Sequence, residues 1–209
     1  MDQRAIVLCL AASIGLASCA VSDPTRYYTL GLTPARRAES APSASPGNTA
    51  REAGTVSIGV GPVSMPGYLN RSQILTRTGR DQLELGMFHR WAEPLEDGIV
   101  RILAEEIGAR VPTERIATFP WRGEVARILD YRVVVGVVRF DGRTGGDVTL
   151  DTRWRILGRD GGELAFGRST VSEAVAGTGY EPMVAAMTRA VMTFGHEIAA
   201  EIRAMPLVK

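Results

Sequence analysis

The sequence predicts an α/β fold of the α+β kind: an antiparallel-rich mixed sheet with two amphipathic helices packed on one face. Three observations predict it. Most of the chain beyond residue 54 reads as strands with period-two alternation, glycine-containing turns join several of them, and two long segments each carry a single apolar stripe at helical spacing. A helix with one such stripe buries it against one neighbouring layer, which places both helices on the sheet.

The chain opens on Arg4, an apolar run from Ala5 to Ala12, and the small-residue stretch Ser13 to Ser18, the order of a secretory signal. The run is too short and poorly flanked for a spanning helix. Leu16-Ala17-Ser18-Cys19 resembles the bacterial lipobox, so residues 1–18 are expected to be removed and Cys19 to carry an S-diacylglycerol and an N-acyl chain. One acyl chain binds a membrane only marginally, at about 0.8 kcal/mol per buried CH₂, whereas a multiply acylated cysteine anchors stably. An ordinary cleavage site and an uncleaved anchor are the other readings of this segment. Cys9 would leave with the signal and Cys19 would be consumed by lipid, which removes disulfides and thiol catalysis from the exported part. Ala20, where an Asp would favour inner-membrane retention in enteric bacteria, resembles the default outer-membrane signal.

Residues 19–25 form the lipidated tether; its Ala20 to Thr25 part reaches roughly 20 Å and holds the rest of the chain close to its membrane. Residues 26–209 are expected to be a single periplasmic domain. Arg26 to Leu32 has the aromatic and β-branched content of a strand, and Thr33 to Gly54 is an Ala/Pro/Ser-rich stretch expected to be a mobile loop. Thr55 to Gly61 alternates as a strand that Pro62, with no N–H to donate, is expected to end. Gln73 to Thr78 and Gln82 to Gly86 read as a hairpin about Gly79-Arg80-Asp81.

From Pro94, Leu95, Ile99, Ile102, Leu103 and Ile107 recur at helical spacing, with Gly108 placed to end the helix. Three strands follow: Ile128 to Phe140, apolar on both faces at Val133 to Val138 and so central; Val148 to Leu157; and Glu163 to Val171. Pro182 to Arg203 carries Met183, Met187, Val191, Phe194, Ile198 and Ile202 as the stripe of the second helix.

Little in the chain suggests catalysis. A net charge of +1 with a single lysine, Lys209, leaves scattered arginines and no basic stripe for nucleic acid. His89 and His196 have no cysteine beside them and no H-E-x-x-H pattern, so both read as surface or packing residues and no metal or other cofactor is expected. Gly167-Arg168-Ser169-Thr170-Val171 lacks the second glycine of a nucleophile elbow, and Gly59-Val60-Gly61 lacks the third glycine of a dinucleotide fingerprint. Asp141, Asp147 and Asp151 lack the spacing and terminal Glu of a calcium loop and read as a solvated hairpin tip. What remains is the apolar, proline-pinned segment around Pro62, Met65, Pro66, Tyr68, Leu69 and Arg71, with Trp91 and Trp121. These residues either cover a sheet edge or bind a partner.

Tyr27-Tyr28-Thr29-Leu30, Val60-Gly61-Pro62-Val63 with Pro66 and Tyr68-Leu69-Asn70-Arg71, and Trp91-Ala92-Glu93-Pro94-Leu95 resemble, in order and spacing, blocks of the PqiC (YmbA) family of ABC-type transport auxiliary lipoproteins. Arg139-Phe140-Asp141-Gly142, Leu150-Asp151, Trp154-Arg155 and Ala185-Ala186-Met187 continue the resemblance nearly to the end. It implies a non-enzymatic outer-membrane lipoprotein on the periplasmic face, working with an MCE-domain protein and the ABC permease of an intermembrane lipid transport system. Self-association into a ring is compatible with that role. The alternatives are a lipid- or small-ligand-binding carrier with its pocket between sheet and helices, and a periplasmic hydrolase built on His89 or His196.

Overall fold

The computed structural model describes residues 24–31, 56–113 and 115–205. The expected signal at 1–18, Cys19, most of the tether and the 33–54 stretch lie outside them.

Among the described residues eight strands and three helices follow in the order β1 (Arg26–Tyr28), β2 (Ser57–Ser64), β3 (Gln73–Arg77), β4 (Leu83–Trp91), α1 (Leu95–Gly108), β5 (Arg115–Thr118), α2 (Glu124–Ile128), β6 (Tyr131–Gly142), β7 (Asp147–Gly158), β8 (Glu163–Ala174) and α3 (Tyr180–Ala204). β6 is the spine of one mixed sheet. Along one edge it pairs antiparallel with β7, which pairs antiparallel with β8. Its other edge is divided: β2 runs parallel to the first half, from Tyr131 to Gly136, and β3 meets the far end at Thr76 and Gly142. β5 extends the β2 branch, while β4 and then β1 extend the β3 branch.

Alternation decides which side of β6 is buried. Tyr131, Val133, Val135 and Val137 point to the helices and are at most 5% exposed, and α1 and α3 cover that face with Ile99, Ile102, Leu103, Met187, Val191, Phe194 and Ile198. Glu96 and Asp97 open α1, Glu181 opens α3 and Arg203 closes it, all in the sense the helix dipole favours. The helices cross closely because Gly195 has no side chain: a Cβ there would lie 2.8 Å from that of Glu106.

Several expectations change: Ile128 belongs to α2 and the central strand starts at Tyr131, and the strand expected to stop at Gly86 runs on to Trp91. β2 does not stop at Pro62 but continues to Ser64, because the register on β6 shifts between Val60 and Val63 and the proline sits where the ladder is already interrupted. Trp121 donates to the Ala117 carbonyl and packs on Gly59 beside two elements, β5 and α2, whose brevity hid them from periodicity. β1 is three residues long, paired parallel with β4.

Candidate functional site

The face of the sheet turned away from α1 and α3 carries the chemistry. On β6 it presents Arg132, Val134 and Gly136; a bulge at Val138 then resets the alternation, so Phe140 enters the core and Arg139 and Asp141 share the outer face. Register brings Arg153 of β7 opposite Gly136 and Arg155 opposite Val134, then Arg168 and Phe166 of β8 opposite those two arginines.

Asp141 is fully buried on this outer face. Arg77 grips it with a fork, Nε to Oδ1 and Nη2 to Oδ2 both at 2.8 Å, and Arg139 adds Nη2 to Oδ1 at 2.8 Å. Burial pushes the Asp141 carboxyl up, but the hydrogen bonds and charges of Arg77 and Arg139 outweigh it and hold the pKa below the ordinary value. Burial, then the nearby Asp141 charge, raises the Tyr68 phenol, which puts the Pro62 to Arg71 loop beside this network. Asp151 is held the same way one strand over, by Arg168 Nε at 2.9 Å, and its pKa is lowered chiefly by that hydrogen bond. The solvated hairpin tip expected for Asp141, Asp147 and Asp151 is thus corrected: Asp147 alone is exposed, and the other two bind arginines across strands.

Further along the same face lies an open groove of about 540 Å³. Gly136 lies on its floor beside Ser64 of β2, and Arg153, Arg155, Arg168 and Phe166 form its far side. Phe166 is 74% exposed. Among the described residues neither Arg153 nor Arg155 forms an ion pair, though Arg153 adds its charge to the field at Asp151 and Glu163 lines the same groove; both cations stand beside an exposed aromatic ring.

The loop picked out in the sequence borders this face, though its residues have different environments. Leu69 is in the core, Met65, Pro66 and Tyr68 are half-buried, and Pro62 and Arg71 are exposed, with Arg71 Nε donating to the Tyr68 carbonyl at 2.7 Å. Trp91 is buried.

The family model described as ABC-type transport auxiliary lipoprotein component matches residues 36–199. This chain belongs to that family. An ABC-type transport auxiliary lipoprotein is a membrane-associated component serving a transport system, which agrees with the lipobox-like start of the sequence. The fold is shared with a crystal structure of an uncharacterized protein, at TM-score 0.65 and 20% identity over 86% of this chain and 99% of that one. It is also shared with a Xanthomonas campestris protein of the DUF330 family, at TM-score 0.60 and 18% identity over 71% of this chain and 84% of that one. No curated protein matches the sequence.

Within this auxiliary lipoprotein the histidines sit in packed surroundings. His89 Nδ1 lies 2.8 Å from the Tyr28 hydroxyl and its ring stacks on Tyr180 at 3.8 Å; His196 Nε2 lies 3.0 Å from Glu106 Oε2, which also holds Arg110. No group of three metal-ligating side chains occurs among the described residues. The sequence signal of the outer-face arginines is Arg153-Trp154-Arg155: in a strand whose tryptophan points inward, both arginines must point out.

Proposed function

We propose that this chain is the non-enzymatic, outer-membrane docking subunit of an ABC/MCE-type intermembrane lipid transport system. In this reading Cys19 carries the lipid anchor on the periplasmic side, and the MCE-domain protein of the periplasm-spanning assembly, linked to its ABC permease, is received on the outer face of the sheet. The supporting observation is that face itself: Arg153 and Arg155, which form no ion pair among the described residues, stand beside exposed Phe166, continuous through Ser64 with the Pro62 to Arg71 loop. Arginine and aromatic side chains on a rigid sheet are the residues from which binding hot spots are made, and uncommitted cations steer an acidic surface onto them.

Photocrosslinkers introduced at positions 153 and 166 in cells should capture the MCE-domain protein. Arg153→Glu with Arg155→Glu should abolish the capture from position 166 while leaving thermal unfolding unchanged. Crosslinks that arise only from positions on α1 or α3 would refute the assignment of this face.

The carrier reading finds less support, because the layer between sheet and helices is filled by side chains such as Val133, Ile156, Phe194 and Ile198, all 0% exposed. A carried lipid would have to lie in the open groove, and native mass spectrometry of the purified protein would then show it retained.

A further inference from the structure

The edge of the β3 branch holds an apolar feature that the docking face does not use. Between Arg77 and Gln73 the β3–β4 ladder loses register: Leu75 of β3 faces Leu85 of β4, yet two residues away Gln73 faces Arg90, five residues from Leu85. Four residues of β4, Gly86 to His89, stand opposite Ile74 alone, so the strand bulges there and leaves Met87 and Phe88 exposed, while Gly86 is buried and His89 pairs with Arg26 of β1. At this bulge Met87 is 66% and Phe88 43% exposed, and Tyr27 of the adjoining β1 is 66% exposed.

The bulge is held in shape. His89 stacks on Tyr180 of α3 and lies within hydrogen-bond distance of the Tyr28 hydroxyl, and Gly86 sits against Tyr180, where a Cβ would come 2.9 Å from the phenol oxygen. Large apolar groups supported from behind yet left in water mark a contact surface.

Chain direction indicates what it touches. β1 runs parallel to β4 with Arg26 opposite His89, so the segment arriving from Cys19 enters the sheet beside the bulge. Six residues, Ala20 to Thr25, lie between Cys19 and Arg26, and the seven Cα steps limit the distance from Cys19 to Arg26, beside the bulge, to about 25 Å. Met, Phe and Tyr with arginine nearby, here Arg26 and Arg143, suit a bilayer interface: apolar groups enter the acyl boundary while guanidinium groups remain with the phosphates.

We propose that Tyr27, Met87 and Phe88 form a second membrane contact, dipping into the surface of the bilayer that holds the Cys19 lipid and fixing the orientation of the sheet above it. This rests on the lipid-anchor reading of Cys19. The contact leaves the outer face of β6, β7 and β8, the spine of the sheet and its undivided side, free for a partner.

The test uses the full lipidated chain reconstituted into vesicles of phosphatidylethanolamine and phosphatidylglycerol. Once Cys19 is acylated, Met87→Cys supplies the one free thiol for an environment-sensitive fluorophore, and Phe166→Cys on β8 is the matched control. The expected result is flotation of both proteins, with a blue-shifted label at position 87 that acyl-chain nitroxide lipids quench several-fold more than the label at position 166. Flotation with equal quenching at the two positions overturns the membrane contact and leaves the anchor standing. Absence of flotation removes the anchor reading and this inference together. A label at position 87 that is water-like on vesicles but shielded in native envelope fragments assigns the bulge to a protein partner and also overturns the proposal.

Discussion

Asp141→Asn tests the charge network on the outer face. Asp141 is 0% exposed and serves two guanidinium groups, Arg77 at 14% and Arg139 at 40% side-chain exposure. Removing one partner of a buried pair costs about 3–5 kcal/mol because the remaining charge is left uncompensated. Water reaches Arg139, and the asparagine oxygen keeps some of the hydrogen bonds, so the expected loss is about 3 kcal/mol. For a domain of this size that lowers Tm by roughly 6–12 °C. The folded-state pKa of Asp141 lies below its ordinary 3.8, so its contribution is present in full above the unfolded value and is lost as pH falls through the folded value. The gap between wild type and Asp141→Asn in urea titrations followed by tryptophan fluorescence should therefore be full at neutral pH and shrink as the pH falls below 3.8 and the wild-type carboxyl takes up its proton. Adding Arg77→Met should restore part of the loss, because the stranded charge goes with it. A variant as stable as wild type at neutral pH, or a gap that does not change with pH, would refute the reasoning.

Gly167→Ala places a Cβ 2.5 Å from the indole of buried Trp154, so over-packing should cost about 1–3 kcal/mol and shift Trp154 emission, as denaturation and fluorescence spectra would show. Leu69→Ala should cost about 2–5 kcal/mol from its core position, whereas Arg71→Ala on the same loop should stay within about 0.5 kcal/mol, so a binding defect in the second variant alone would separate interface from scaffold. Phe194→Ala should cost about 3–5 kcal/mol in chemical unfolding while leaving crosslinking from position 166 intact under native conditions, since its side chain lies in the core between helices and sheet, away from the outer face.

Sequence by itself determined the elements whose physics is local. The stripe from Leu95 to Ile107 and that from Met183 to Ile202 could bury themselves only as helices, the apolar run from Val133 to Val138 marked a central strand, and the alternation from Val148 to Leu157 could bury only one face of a sheet. The order of its motifs also carried the family, because those motifs are contiguous. Tertiary structure decided what depends on distance along the chain: that Arg77 meets Asp141, that β2 passes its proline, and that surplus residues of β4 bulge beside β1. Asp141 reads as a turn residue because the guanidinium that forks onto it, that of Arg77, lies 64 positions away. Periodicity reports which way a side chain points, but the charge it meets there is chosen by strand order and register, and no local pattern encodes either.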